Sequence, residues 1–271
     1  MQTKSDTAPR REAAVFNQEG TVKAWDDDYY HPVAVRYYDA AIPAMLKEMG
    51  LGPGDRVLDA GCGPGVHSIR AAAYGCQVTA MDLSTTMLRH AEERATAAGL
   101  SDRIVFRQGD LTKPDLGQVF DAVFSWGVII HVPDTVAALD GLASLVAPKG
   151  QLTLQVLNAR SLDYRVEKLL RKLLRRPFAE LVETRLGSGN WYRLGDERLW
   201  VLRFDMDALD KAMKDRGFSL VSRRAAEFSE FQRRLPGVLR RPLLHLNTLI
   251  YKLRALTGLS ATQIILYRRD K

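Results

Sequence analysis

The sequence predicts an α/β fold in which an open parallel sheet is covered by helices on both faces. Three observations carry that reading. Strand-like and helix-like apolar patterns take turns from residue 56 onward. The strand segments are short and built around apolar residues, as befits a sheet covered on both sides. The first of them runs straight into a glycine-rich turn, VLDAGCGPG at 57–65, the place where open α/β sheets admit a ligand to the backbone.

The elements follow in order. MQTKSDTAPRREAAVFNQEG is polar and aperiodic, so residues 1–20 are expected to be a mobile tail. From Val33 to Met49 the apolar spacing is helical, and Gly52, Pro53 and Gly54 end it. RVLDA (56–60) reads as a buried strand, followed by a helix from Val66 and a strand CQVTAMD (76–82). Ser84 caps a helix that runs to Ala98 and closes at Gly99. RIVFRQ (103–108) and VFDAVFS (119–125) are the next strands. Asp134 then caps a helix over 134–147, and QLTLQVL (151–157) is a fifth strand. A helix from Asp205 to Arg216 and the strands FSLVSR and TQIILYR complete the pattern.

With 271 residues and 46% hydrophobic content, the chain can bury one full core. A single domain is therefore expected over 21–271, with a helical cap at 21–55 and a ligand-binding core at 56–157. No apolar run reaches the roughly 18 residues of a membrane span, and the first thirty residues lack a signal-peptide core. The expected localisation is cytoplasmic. Cys62 and Cys76 form no CxxC pair and are expected to be free thiols. Charge is divided along the chain: residues 158–271 hold 25 Lys and Arg against 13 Asp and Glu, whereas residues 1–157 hold 14 against 19. A basic back half can mark an acidic partner.

The glycine turn selects among ligands. A dinucleotide fingerprint requires G-x-G-x-x-G, but from Gly61 the chain reads G-C-G-P-G-V, with the third glycine one position early and Pro64 inside the turn. Carboxylates stand where the strands end. Asp82 closes the second strand, placed to accept hydrogen bonds from ribose hydroxyls, and Gly109-Asp110 follows the third. Asp121 reads as a strand-entry residue and His67 as packing.

Taken together, VLDAGCGPG, MDLS (81–84), GD (109–110), FDAVFSWGVIIHVPD (120–134) and LVAPKGQLTLQV (145–156) resemble the class I S-adenosylmethionine-dependent methyltransferases, small-molecule branch, over residues 56–157. The resemblance implies a Rossmann-like, mostly parallel sheet of seven strands with helices on both faces, the last strand antiparallel, plus helical lid insertions. It implies S-adenosylmethionine as cofactor, leaving as S-adenosylhomocysteine, with no metal. Asp59, Gly61, Cys62 and Gly63 would surround the methionine part. Asp82 would hold the ribose and Leu83 pack on adenine. Gly109, Asp110 and Leu111 would receive the adenine edge, and Ser125 and Trp126 would floor the site near the sulfonium. An aromatic face stabilises such a cation, and Trp126, Trp25, Tyr29 and Tyr30 are placed to offer one. His131 reads preferentially as a wall of the pocket, its alternative being a general base suited to neutral pH. Tyr29 and Tyr30 are the other catalytic candidates.

Residues 158–204 are too long for a connecting loop and are expected to form a lid. Val166, Leu169, Leu170, Leu173 and Leu174 share one helical face, with Arg165, Lys168, Arg171, Lys172, Arg175 and Arg176 around the rest. The preferred reading has the leucines covering the core and the cations solvated. Residues 227–259 repeat the theme with Leu243, Leu246, Leu249, Ile250 and Leu253. The expected function is methyl transfer to O, N or C of a small organic molecule, acidic or amphipathic, in a biosynthetic role. A lipid or nucleic-acid methyltransferase is the alternative, though the N-P-P-Y type motif of base-amine enzymes is absent; a non-catalytic module keeping the fold is the other. Peripheral membrane contact and a homodimer are the alternative readings of the basic insertions.

Overall fold

The computed structural model describes residues 11–29, 32–176, 178, 180–194, 197–231 and 237–271. Five parallel strands form its centre: β1 (Arg56–Ala60), β2 (Gln77–Asp82), β3 (Ile104–Gln108), β4 (Phe120–Trp126) and β5 (Val146–Asn158). They lie in the order β3-β2-β1-β4-β5. The final strand, β10 (Thr262–Arg269), runs antiparallel between β5 and β9 (Phe218–Ala225), which completes the seven expected strands. Successive side chains of a strand point to opposite faces, so Leu58 enters one core with Leu139, Leu154 and Phe204 while Val57 enters the other with Ile42, Leu46 and Phe124. Helices α3 (Pro32–Glu48), α4 (Val66–Tyr74) and α5 (Thr85–Ala97) cover the second face; α6 (Thr135–Leu145) and α8 (Met206–Lys214) cover the first. The caps behave as their chemistry requires: Ser84 accepts from the Met87 amide and Asp134 from Ala137. Among the described residues no helix is long and apolar enough to cross a membrane.

Three expectations are corrected. Residues 11–20 are not a tail: α1 (Arg11–Phe16) forms there and α2 (Glu19–Tyr29) begins, and the Ser84 hydroxyl reaches the Phe16 carbonyl at 2.8 Å. The insertion at 158–204 is only partly helical. After α7 (Leu162–Leu173) it forms three antiparallel strands, β6 (Leu181–Thr184), β7 (Gly187–Leu194) and β8 (Glu197–Phe204), which extend the sheet where Leu157 and Asn158 pair with Arg203 and Phe204. The reason is a period of two: Trp200, Leu202 and Phe204 point inward and alternate with partly exposed residues. Lastly, the leucine face of α7 does not cover the core, and most of the apolar face of α9 (Gly237–Leu253) is turned outward as well. Leu169, Leu170, Leu173, Leu174, Leu246, Leu249 and Leu253 are exposed, and only Ile250 of the expected α9 face is buried. The helices instead dock through Tyr164 and Glu167, and through Leu244, Asn247, Ile250 and Tyr251.

One close approach joins α6 to the cavity described below. A Cβ at Gly141 would lie 1.9 Å from the Leu111 carbonyl oxygen and 2.9 Å from Pro114 Cδ. Alanine in a helix interior normally gains about 1 kcal/mol over glycine. Here the backbone contact reverses the sign, and Gly141→Ala is expected to destabilise the protein by about 2 kcal/mol or more in urea unfolding.

Candidate functional site

The sheet order reverses beside β1, between β2 and β4, and the loops leaving the carboxyl ends of the strands part there. A cavity opens at that edge. Asp82 ends β2 and Leu157 lies near the end of β5, with β1 and β4 between them, so the cavity crosses three strand spacings, about 14 Å.

At its β2 side the glycine turn is fixed by the Asp82 carboxylate, which accepts from the Gly63 amide at 2.8 Å and from the Ser84 amide at 2.9 Å. The Gly61 and Cys62 amides both donate to the Met81 carbonyl. Gly61 is required twice over: its φ is 86°, and a Cβ would fall 2.3 Å from Val128 Cγ1. Burial pushes the Asp82 pKa up, and the amides of Ser84, Gly63 and Leu83 pull it back. One strand further along, Asp110 turns a carboxylate oxygen to the amide and hydroxyl of Thr112, both at 2.8 Å.

Of the residues the resemblance assigned to a cofactor, Gly61, Cys62, Gly63, Asp82, Leu83, Gly109, Asp110, Leu111 and Trp126 line the cavity. Asp59 and Ser125 do not. Ser125 is buried behind the wall, its hydroxyl donating to the Ala60 carbonyl at 2.9 Å. Asp59 is 1% exposed and accepts from the Ser68 hydroxyl at 2.6 Å. Burial raises its pKa to about 7, the Ser68 hydrogen bond opposes the shift, and the Asp82 charge adds to it. Burial likewise keeps the Cys62 thiol protonated. Tyr30 lies outside the described residues, as does the side chain of Tyr29.

The middle of the cavity is aromatic. Trp126 packs against the rings of His67 at 5.1 Å and Tyr38 at 6.1 Å. His67, read from sequence as packing, does pack, but it also lines the cavity; burial and then the Arg70 charge lower its pKa to about 3, so the ring is neutral. Phe16 and Trp25 roof the cavity, each 6.0 Å from the His131 ring. His131 Nδ1 stands 2.9 Å from the Trp200 carbonyl oxygen on β8. A carbonyl only accepts, so Nδ1 carries the proton and Nε2 is the accepting nitrogen of the neutral ring.

Sequence reasoning missed the β5 and β10 side, where Tyr37, Glu227, Glu230 and Thr262 meet. Only the place of Glu227, two residues past β9, could have signalled it. Tyr37 Oη is buried and makes no hydrogen bond among the described residues. In all, four carboxylates line the cavity, those of Asp82, Asp110, Glu227 and Glu230, and no Lys or Arg does so among the described residues.

Residues 57–150 match the family model of a methyltransferase domain. A ubiquinone biosynthesis O-methyltransferase of Psychrobacter cryohalolentis is 36% identical over 132 residues, 48% of this chain and 51% of that protein. The chain thus spans about half the length of the curated relatives it matches. Among solved structures, magnesium protoporphyrin IX methyltransferase from Synechocystis with bound SAH superposes with a TM-score of 0.64 at 21% identity, over 95% of this chain and 97% of that one. The cyclase SpnF superposes at 0.56 with 18% identity, over 85% and 81%. Likenesses at these identities establish the fold and leave the chemistry to the site.

The Asp59 pKa makes stability depend on pH. A carboxyl raised from 3.8 to about 7 contributes stability that is fully present below 3.8 and is lost progressively as pH rises from there through 7. Asp59→Asn keeps the acceptor for Ser68 but cannot ionise. In the unliganded protein it is expected to match wild type near pH 3.5 and to exceed it by about 2 to 4 kcal/mol at pH 8, read by urea unfolding at both values.

Proposed function

We propose that this chain, whose residues 57–150 form a methyltransferase domain, transfers a methyl group from S-adenosylmethionine to a small organic molecule, with a hydroxyl oxygen as acceptor. One observation carries the cofactor assignment: a cavity at the sheet's switch point lined by four carboxylates and, among the described residues, by no Lys or Arg. A nucleotide phosphate would be repelled there, whereas a sulfonium and an ammonium gain from the charge, and ribose hydroxyls find acceptors. When bound, the cofactor supplies an electrophilic methyl on sulfur, which departs as a neutral thioether.

The chain's own residues then do three things. Asp82 accepts the ribose hydroxyls and, through Gly63, holds the turn in place. Asp110, Leu83 and Leu111 frame the base. Trp126, with His67 and Tyr38 behind it, forms an aromatic wall at the centre of the cavity, where it favours positive charge and excludes water. Alignment of acceptor and methyl supplies much of the rate in such a displacement.

Support for oxygen comes from His131. With Nδ1 donating to Trp200, Nε2 is the atom that takes a proton from a hydroxyl as it attacks. The curated relatives named as O-methyltransferases point the same way. Tyr37 Oη is available to donate to the acceptor's oxygen substituents.

Calorimetry with S-adenosylhomocysteine tests the cofactor. Wild type is expected to bind, and Asp82→Ala to bind about 10- to 150-fold more weakly, through loss of a charged acceptor. Absence of heat with wild type would overturn the assignment. For His131, methyl transfer from labelled S-adenosylmethionine to a panel of small phenols and alcohols is the assay. His131→Ala is expected to lower turnover by about 10² to 10⁴ with S-adenosylhomocysteine affinity unchanged. A fall of less than about tenfold assigns His131 to the wall of the pocket alone.

A further inference from the structure

Helix α7 is mounted the wrong way round for a lid. Tyr164 and Glu167 are buried, Arg171 bonds Glu167 at 3.0 Å, and the Asp163 carboxylate accepts from the Ser229 hydroxyl at 3.0 Å and the Glu230 amide at 2.6 Å. Both acids of the helix are thus turned to the protein. Leu162, Val166, Leu169 and Leu173 recur at i, i+4, i+7 and i+11 on the other side. Leu169, Leu170, Leu173 and Leu174 are 48–69% exposed. Beside the stripe stand Arg165, Lys168, Lys172, Arg175 and Arg176, all exposed.

Helix α9 repeats the arrangement. Pro242, Leu246, Leu249 and Leu253 follow the same spacing; the three leucines are 40–66% exposed, and residues 237–259 contain no acid. The two helices are fastened to one residue, since Asn247 accepts from the Ser229 amide and donates to its carbonyl, both at 3.0 Å. Among the described residues every exposed charged side chain of the two helices is a cation, and apolar stripes so flanked are not solvated faces.

We propose that α7 and α9 dock the protein on an anionic phospholipid bilayer. The leucines enter the boundary of the acyl chains while the lysines and arginines meet lipid phosphates. A second copy of the chain fits the surface less well, because an isologous pairing would bring two cationic helices together. Glu230, next to Ser229, lines the cavity, so the protein-facing sides of the two helices, opposite the exposed leucines, border the site.

Vesicle sedimentation of the full chain tests this without any methyl donor, so its outcome is independent of the transfer reading. Wild type is expected to pellet with phosphatidylcholine vesicles containing roughly a third phosphatidylglycerol, and at least about tenfold less with phosphatidylcholine alone or in high salt. Leu169→Glu with Leu173→Glu should abolish pelleting, and Lys168→Gln, Lys172→Gln and Arg176→Gln together should remove the preference for anionic lipid. These side chains are exposed, so the variants' thermal unfolding should match wild type and exclude misfolding. Wild type remaining in the supernatant with anionic vesicles, or pelleting undiminished in the double-leucine variant, overturns the proposal. So does a concentration-dependent dimer lost in that variant without vesicle binding, which assigns the face to a second copy.

Discussion

The Asp82 carboxylate is the constraint on which the ligand-binding half depends. A glycine turn with φ values of 86° at Gly61 and 52° at Gly63 has no conformational preference of its own. Two amides of the turn are held by the Met81 carbonyl and a third by Asp82, so the loop takes its shape from the end of the neighbouring strand. The cost is electrostatic. Burial raises the pKa of both Asp59 and Asp82, and the Asp82 charge adds to the shift of Asp59. A cavity lined by Asp82 and Asp110 at one end and by Glu227 and Glu230 at the other favours a cation before any ligand atom is specified.

The two ends of the cavity are built from different parts of the chain. The β2 side is made by the acidic front half, by strand ends and tight turns that leave little room for variation. The far side is assembled from the segment after β9, from β10, and from His131, whose ring is oriented by a carbonyl of the inserted strand β8. An insertion that merely covered the site could be exchanged freely. One that supplies the hydrogen bond fixing a histidine tautomer is coupled to the chemistry, and changes in β8 would reach the acceptor side without touching the turn around Asp82.

What the sequence made legible follows the strength of local signals. Strands β1 and β2 and the caps Ser84 and Asp134 were readable because a buried parallel strand is continuously apolar and a cap is a single residue with a single job. The strands β6 to β8 were not, because charges interrupt RLWVLRF and length suggested a lid, although its alternation of period two was present. The leucines of α7 were rightly grouped on one face and wrongly turned inward. Periodicity defines a face, and only tertiary contacts, here Asp163 with Ser229 and Glu230, decide which face meets the protein. Glu227 and Glu230 escaped notice for the same reason, since nothing local distinguishes a loop acid facing a cavity from one facing water.

The roof and the floor of the cavity are fastened by different forces. Underneath, the glycine turn is held by buried amides and a shielded carboxylate. Above, Phe16 rides on a segment tied down by the Ser84 hydroxyl, by the buried Val15 and Val22, and by Glu19, which reaches the His90 ring at 2.8 Å and forms an exposed ion pair with Arg89. Such pairs are weak and screened by salt. The roof over the cavity is thus held partly by surface charge that salt weakens and partly by the buried Val15 and Val22, whereas the floor owes nothing to surface charge.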